Sequence, residues 1–132
     1  MGYLLDTNIV SDLVRHPQGR SAARIARLGE ETIATSIIVT AELRYGEARK
    51  KSARLTAQLE TILGGLEILP FNAPADRVYG ELRAQLESAG KPVGANDMLI
   101  AAHALALGYT LVTDNVREFS RIKGLKVENW LR

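Results

Sequence analysis

Cysteine is absent from the 132-residue chain, which excludes a disulfide framework, a thiolate metal site and a cysteine nucleophile. That absence fits a reducing cytoplasm. Long apolar runs are missing too: the longest, Met98 to Leu107, is broken by His103 and is too short to span a bilayer. No basic stretch precedes Asp6, so no secretory leader is expected. Net charge is small, with 17 Lys and Arg against 15 Asp and Glu leaving +2. Repeats, linkers and low-complexity segments are lacking. At this length the expectation is one domain, 1–132, able to bury its own core.

What is present alternates. Gly2 to Leu5 is apolar without a polar face, as in a strand buried on both sides. Thr7 or Asn8 is expected to cap a helix ending near Val14, before His16-Pro17. Arg20 to Leu28 reads as an amphipathic helix with Ala23, Ile25, Ala26 and Leu28 inward. Thr32 to Thr35 is β-branched enough for a second strand. Ser36 then caps a helix to about Lys50, and Ala53 to Leu63 follows as another. Leu66 to Leu69 is a third strand, and Ala73 to Ser88 carries an apolar helical stripe. Asp97 to Leu107, apolar nearly all round, is a central helix ended by Gly108. Tyr109 to Thr113 is a fourth strand, with a short helix (Val116 to Phe119) and a last strand (Lys126 to Glu128). The pattern predicts an α/β fold, a central parallel sheet of about five strands with helices on both faces.

Four carboxylates punctuate these elements. Asp6 ends the first strand, Asp114 follows the fourth, Asp97 opens the central helix, and Glu42 lies inside an apolar stretch. Each has a plain explanation: Asp6 and Asp97 as helix caps, Asp114 as turn chemistry, Glu42 as a rim charge paired with Arg44 or Arg49. In open parallel sheets, however, ligands bind beyond the carboxyl ends of the strands. Carboxylates gathered there repel one another unless protons or a cation intervene. An oxygen-only set suits Mg²⁺ or Mn²⁺ and phosphodiester hydrolysis.

At Leu4-Leu5-Asp6-Thr7-Asn8, Glu42 and Asp97 the chain resembles the PIN-domain ribonucleases, and more narrowly the VapC toxins of bacterial toxin–antitoxin pairs. The likeness continues through Thr35 to Gly46, Gly90 to Gly108 and Leu111 to Trp130, in the family's order. It implies Asp6 and Asp97 as principal ligands of Mg²⁺, Glu42 completing an acidic triad, and Asn8 hydrogen-bonding around the site. Many relatives carry a fourth acid two residues after the Thr of the fourth strand. Here Asn115 holds that place, leaving Asp114 or Glu118 as alternatives. The resemblance further implies RNA hydrolysis leaving a 5′-phosphate, with structured RNA favoured, including the anticodon loop of initiator tRNA. A VapB-type antitoxin partner and a homodimer within a larger complex are implied as well.

Other chemistry is poorly supplied. Ser36 has no histidine placed by sequence to activate it, His103 reads as a core residue, and His16 carries no signal. A phosphoacceptor domain would need an Asp after Leu66 to Leu69. A haloacid-dehalogenase-like phosphatase would need an Asp where Asn8 stands. The surviving rival is a non-catalytic PIN-like module that binds RNA or protein. Two basic groups gain meaning if RNA is the substrate: Arg15, Arg20, Arg24 and Arg27, and the cluster from Arg44 to Arg54. Of these, Arg15, Arg49, Lys50 and Lys51 are expected to flank the acidic site and track the backbone.

Overall fold

The computed structural model describes residues 2–29 and 31–132. In chain order these form β1 (Gly2–Leu5), α1 (Thr7–Arg15), α2 (Arg20–Leu28), β2 (Thr32–Ser36), α3 (Ile37–Lys50) and α4 (Ala53–Gly64). They continue as β3 (Glu67–Leu69), α5 (Ala75–Ser88), α6 (Ala95–Leu107), β4 (Thr110–Val112), α7 (Val116–Phe119) and β5 (Val127–Glu128). The sheet runs β3-β2-β1-β4-β5, and every neighbouring pair is parallel. The alternating pattern is therefore realised as expected.

Strand order reverses beside β1. From β1 the chain steps outward to β2 and β3, then crosses back to β4 on the other side of β1. Right-handed crossovers put helices of the two directions on opposite faces, so a crevice opens between the carboxyl ends of β1 and β4. Asp6 and Thr113 stand at those two ends.

The core explains why these strands are central. Leu4, Leu5, Ile9, Val10, Leu111 and Val112 are fully buried, each contributing about 2 kcal/mol of transfer free energy. Gly2 is confined by its neighbour: a Cβ there would lie 2.6 Å from the Tyr109 ring. Helix α6 packs chiefly on α5 and buries Met98, Ile100, Ala101, Ala102, His103 and Ala104. Burial on nearly every side is what its apolar sequence demands. Its end needs Gly108, where φ is 71°.

Two local expectations change. The cap of α1 is Asp6, whose side chain accepts from the Thr7 amide, rather than Thr7 or Asn8. In α2 the inward stripe is Ser21, fully buried, with Ala22, Ile25 and Leu28 against the core. Ala23 and Ala26 are exposed. Spacing of 21, 25 and 28 keeps one face, and alanine at 23 and 26 is small enough to tolerate either side. Ser36, by contrast, caps α3 as expected, accepting from Ile38 N at 3.0 Å. Its hydroxyl also meets His103 Nδ1 of α6 at 2.8 Å, in a buried contact.

Candidate active site

The switch point holds Asp6 tightly. Its Oδ1 accepts the Thr7 amide at 2.7 Å, and its Oδ2 accepts the Thr113 hydroxyl at 2.7 Å. Thr113 is fully buried and comes from the end of β4, 107 residues away in sequence. Asp6 is thus both a helix cap and the fixed floor of a cluster. Burial pushes its carboxyl above the ordinary value of 3.8; the Thr113 and Thr7 donors oppose this, and the charges of Glu42 and Glu118 add to it.

Asp97 enters from the other direction. Helix α6 begins at Ala95, two residues before the expected start, so Asp97 lies within its first turn. Burial, followed by the charges of Asp6 and Glu118, pushes its carboxyl up to about 7. When protonated it hydrogen-bonds to Glu118. Glu118, from α7, is held at both oxygens: Oε1 accepts Gly94 N at 3.0 Å and Oε2 accepts Asn115 Nδ2 at 2.7 Å. The Gly94 amide in particular draws its carboxyl below the ordinary value. The two neighbouring carboxyls are therefore shifted in opposite directions, Asp97 up and Glu118 down.

Glu42 completes the group from α3. The expected pairing with Arg44 or Arg49 does not occur. Arg44 pairs with Glu47 at 3.3 Å and with Glu60, and Arg49 lies over the exposed Tyr45 ring at 5.6 Å. Glu42 instead accepts Thr7 Oγ1 at 2.7 Å and Asn96 Nδ2 at 3.2 Å. Among the described residues, none of these four acids forms an ion pair with a basic side chain. Nor do any three acidic or histidine side chains among them stand close enough, in this arrangement, to hold one ion together.

Asp114 goes elsewhere. Its carboxylate accepts Asn129 Nδ2 at 3.0 Å and lies 3.6 Å from Arg132 Nε. Only its amide faces the cluster, donating to Asn8 Oδ1 at 3.0 Å. Asn8 in turn donates weakly to Thr113 Oγ1 at 3.4 Å, so it braces the residue that positions Asp6. Asn115 does the same from its amide, 3.0 Å from Thr113 Oγ1. Between the two alternatives for a fourth acid, Glu118 is the one that lies against Asp97. Sequence reasoning passed over Thr113, Thr7, Asn96 and Gly94 as site residues, although Thr113 stands at a strand end beside an acid.

The basic residues divide. Arg15 and Lys50 line an apolar groove of about 240 Å³ between α1, α3 and α4, which runs from Thr7 and Glu42 to Leu55 and Leu59. Arg49 caps Tyr45 on the open surface. Lys51 ends α3 in a left-handed conformation with φ 50°.

A parallel α/β domain with unpaired acids at its switch point defines a class: small domains that carry a carboxylate cluster beyond the carboxyl ends of the central strands. The PIN-domain family profile matches residues 3–125. The chain is 46% identical over 132 residues to Ribonuclease VapC2 of Rickettsia felis, covering 98% of each. It is 34% identical over 129 residues to the tRNA(fMet)-specific endonuclease VapC of Shigella flexneri, covering 97% of each. The structure is similar to that of VapBC2 from Rickettsia felis bound to a DNA fragment from their promoter. There the TM-score is 0.93 at 43% identity, over 98% of this chain and 99% of that one. The chain belongs to the PIN-domain family, among its VapC members.

Proposed function

We propose that the chain is a divalent-metal-dependent endoribonuclease and the toxin of a VapBC-type pair. The observation that carries this is the convergence of Asp6, Glu42, Asp97 and Glu118, from four separate elements, without a basic partner. Such a set is costly as it stands. Asp97, whose carboxyl is raised by burial and by its acidic neighbours, marks where positive charge is wanted. All donors are oxygen, which fits Mg²⁺ or Mn²⁺. Asp6, Asp97 and Glu42 would hold the ion, with Glu118 close by. The ion supplies charge to the scissile phosphate and makes a nearby water more acidic.

The chain's own groups do the rest. Thr113 and the Thr7 amide keep Asp6 from turning, and Asn8 and Asn115 keep Thr113 in place. Gly94 N and Asn115 hold Glu118 ionised beside Asp97. Arg15 and Lys50 offer phosphate contacts at the groove mouth, with Arg49 and Lys51 further along α3. The curated relatives named for tRNA(fMet) favour a transfer RNA as substrate. The VapBC complexes favour a VapB-type antitoxin partner, for which the apolar groove beside Glu42 offers a seat. A homodimer and a cytoplasmic site of action belong to the same reading.

The test is direct. Purified chain cuts RNA with Mg²⁺ or Mn²⁺, leaves 5′-phosphate ends, and stops with EDTA; cutting that is indifferent to EDTA overturns the reading. The fourth acid has its own comparison. Glu118→Gln lowers kcat by about 10- to 100-fold, the range for a group that supports a metal site. Asp114→Asn changes it by no more than a few-fold. The reverse order in single-turnover assays would restore Asp114 to the site.

A further inference from the structure

One basic group of the sequence remains unused by the acidic cluster. Arg20, Arg24 and Arg27 recur at i, i+4 and i+7 and so share one face of α2. With Ala23, Trp130 and Arg132 they line a depression of about 260 Å³. Four arginines thus line one small depression. Two carboxylates answer the four: Glu128 lies 3.4 Å from Arg24 and accepts the Trp130 indole N–H at 3.0 Å, and Asp114 lies 3.6 Å from Arg132, which leaves Arg20 and Arg27 without an acid. Arg20 reaches a backbone oxygen, Leu131 O, at 3.3 Å. Like charges one turn apart on a helix cost stability, and a single Arg24–Glu128 pair would suffice to fasten the segment after β5. The surplus charge asks for an anion.

The lining shows what kind of anion. Trp130 is only 3% exposed, with Arg24 stacked over it at 5.8 Å. It is a floor, not a platform for a base or an apolar side chain. Guanidinium forks above such a floor suit phosphate oxygens. The depression also adjoins the cluster of acids. Asp114 donates its amide to Asn8 beside Asp6, while its carboxylate holds Asn129 and Arg132, so one residue joins the two sites.

We infer that the Arg20–Arg24–Arg27 face, closed by Arg132, binds RNA backbone phosphates remote from the scissile one. This inference rests on the nuclease reading and deepens it. The substrate is a folded RNA whose strand near the cut lies at the acids while a flanking stem crosses α2. A short single strand spanning only the cut does not reach the arginines.

The experiment uses Arg20→Gln/Arg27→Gln, leaving Arg24 on its tryptophan. Binding of bulk bacterial tRNA is measured against salt in an Asp97→Asn background, and cleavage of tRNA and of a short single strand in the active chain. The expected result is about tenfold weaker tRNA binding near 0.15 M salt, with the slope of log Kd against log salt reduced by about 1 to 2. Cleavage of the short strand keeps its kcat/KM, and Arg20→Lys/Arg27→Lys restores the slope. An unchanged slope, or an equal loss on the short strand, overturns the inference. Weakened antitoxin binding with intact tRNA binding overturns it in favour of a protein-docking face. If the active chain cuts neither RNA, the nuclease reading falls, while the salt slope still decides the arginine site.

Discussion

Asp97→Asn and Asp6→Asn each lower metal-supported RNA cleavage by about 10³-fold, equivalent to about 4 kcal/mol of transition-state stabilisation. The two variants should differ in how the protein bears the change. Asn at 97 keeps the shape and removes a charge that crowds Glu118, so the circular dichroism spectrum and cooperative unfolding persist. Asn at 6 can still accept the Thr7 amide, but it offers Thr113 a weaker acceptor, or a competing donor if the amide turns. That position is only 4% exposed, so an unmatched donor there is costly. Asp6→Asn therefore loses stability as well as activity. Cleavage that survives either change within tenfold would dissociate the acids from the chemistry. Loss of folding in Asp97→Asn would make that residue structural.

Stability without a cation should depend on pH in a definite sense. Asp97 is pushed from 3.8 up to about 7. Between roughly these values the folded protein keeps a proton that the unfolded chain has released. Unfolding then releases protons, and stability falls as pH rises through the window. Asp6 is raised too and acts in the same direction. His103 acts in the opposite one: burial lowers its pKa below 6.5, so its contribution is lost as pH falls. The clean readout is consequently a difference. In EDTA the melting temperature of Asp97→Asn should match that of the unaltered chain below about pH 4 and exceed it increasingly as pH rises, by several degrees near pH 8. Added Mg²⁺ should stabilise the unaltered chain more at pH 8 than at pH 5, because ion and proton compete for the same oxygens. A gap that is constant with pH, or that closes toward pH 8, would contradict the electrostatic account of the cluster.

Much of the scaffold was legible because local and global preferences agree here. β1 and β4 are short apolar runs, Ser36 is a strong cap, and Gly108 can take the positive φ that ends α6. Boundaries drifted by a residue or two, as at Ala75 and Ala95. The misread face of α2 has a simple cause: alanine carries little orientational information, and a buried serine carries a misleading signal. The site divides along similar lines. That Asp6, Glu42 and Asp97 approach one another could be anticipated from strand ends and from the family likeness. What holds them could not. Thr113 to Asp6, Thr7 to Glu42 and Asn96 to Glu42 are bonds between residues 35 to 107 apart, and a threonine or asparagine at the end of an element looks the same in sequence whether or not it makes one. In the chain Asp114, directly after the fourth strand, was the first choice for a fourth acid and Glu118 the alternative. Only the turn into α7, with the Gly94 amide facing it, separates them.

The buried contact between Ser36 and His103 has a geometric corollary. Glu42 lies six residues beyond Ser36 along α3, and Asp97 six residues before His103 along α6. Each span is about 9 Å of helix. At the far ends Asn96 reaches Glu42 at 3.2 Å, so the two arms are pinned at hinge and tip like a closed calliper. The separation of α3 and α6 at this end of the sheet is thus set by two side-chain contacts rather than by the acids themselves.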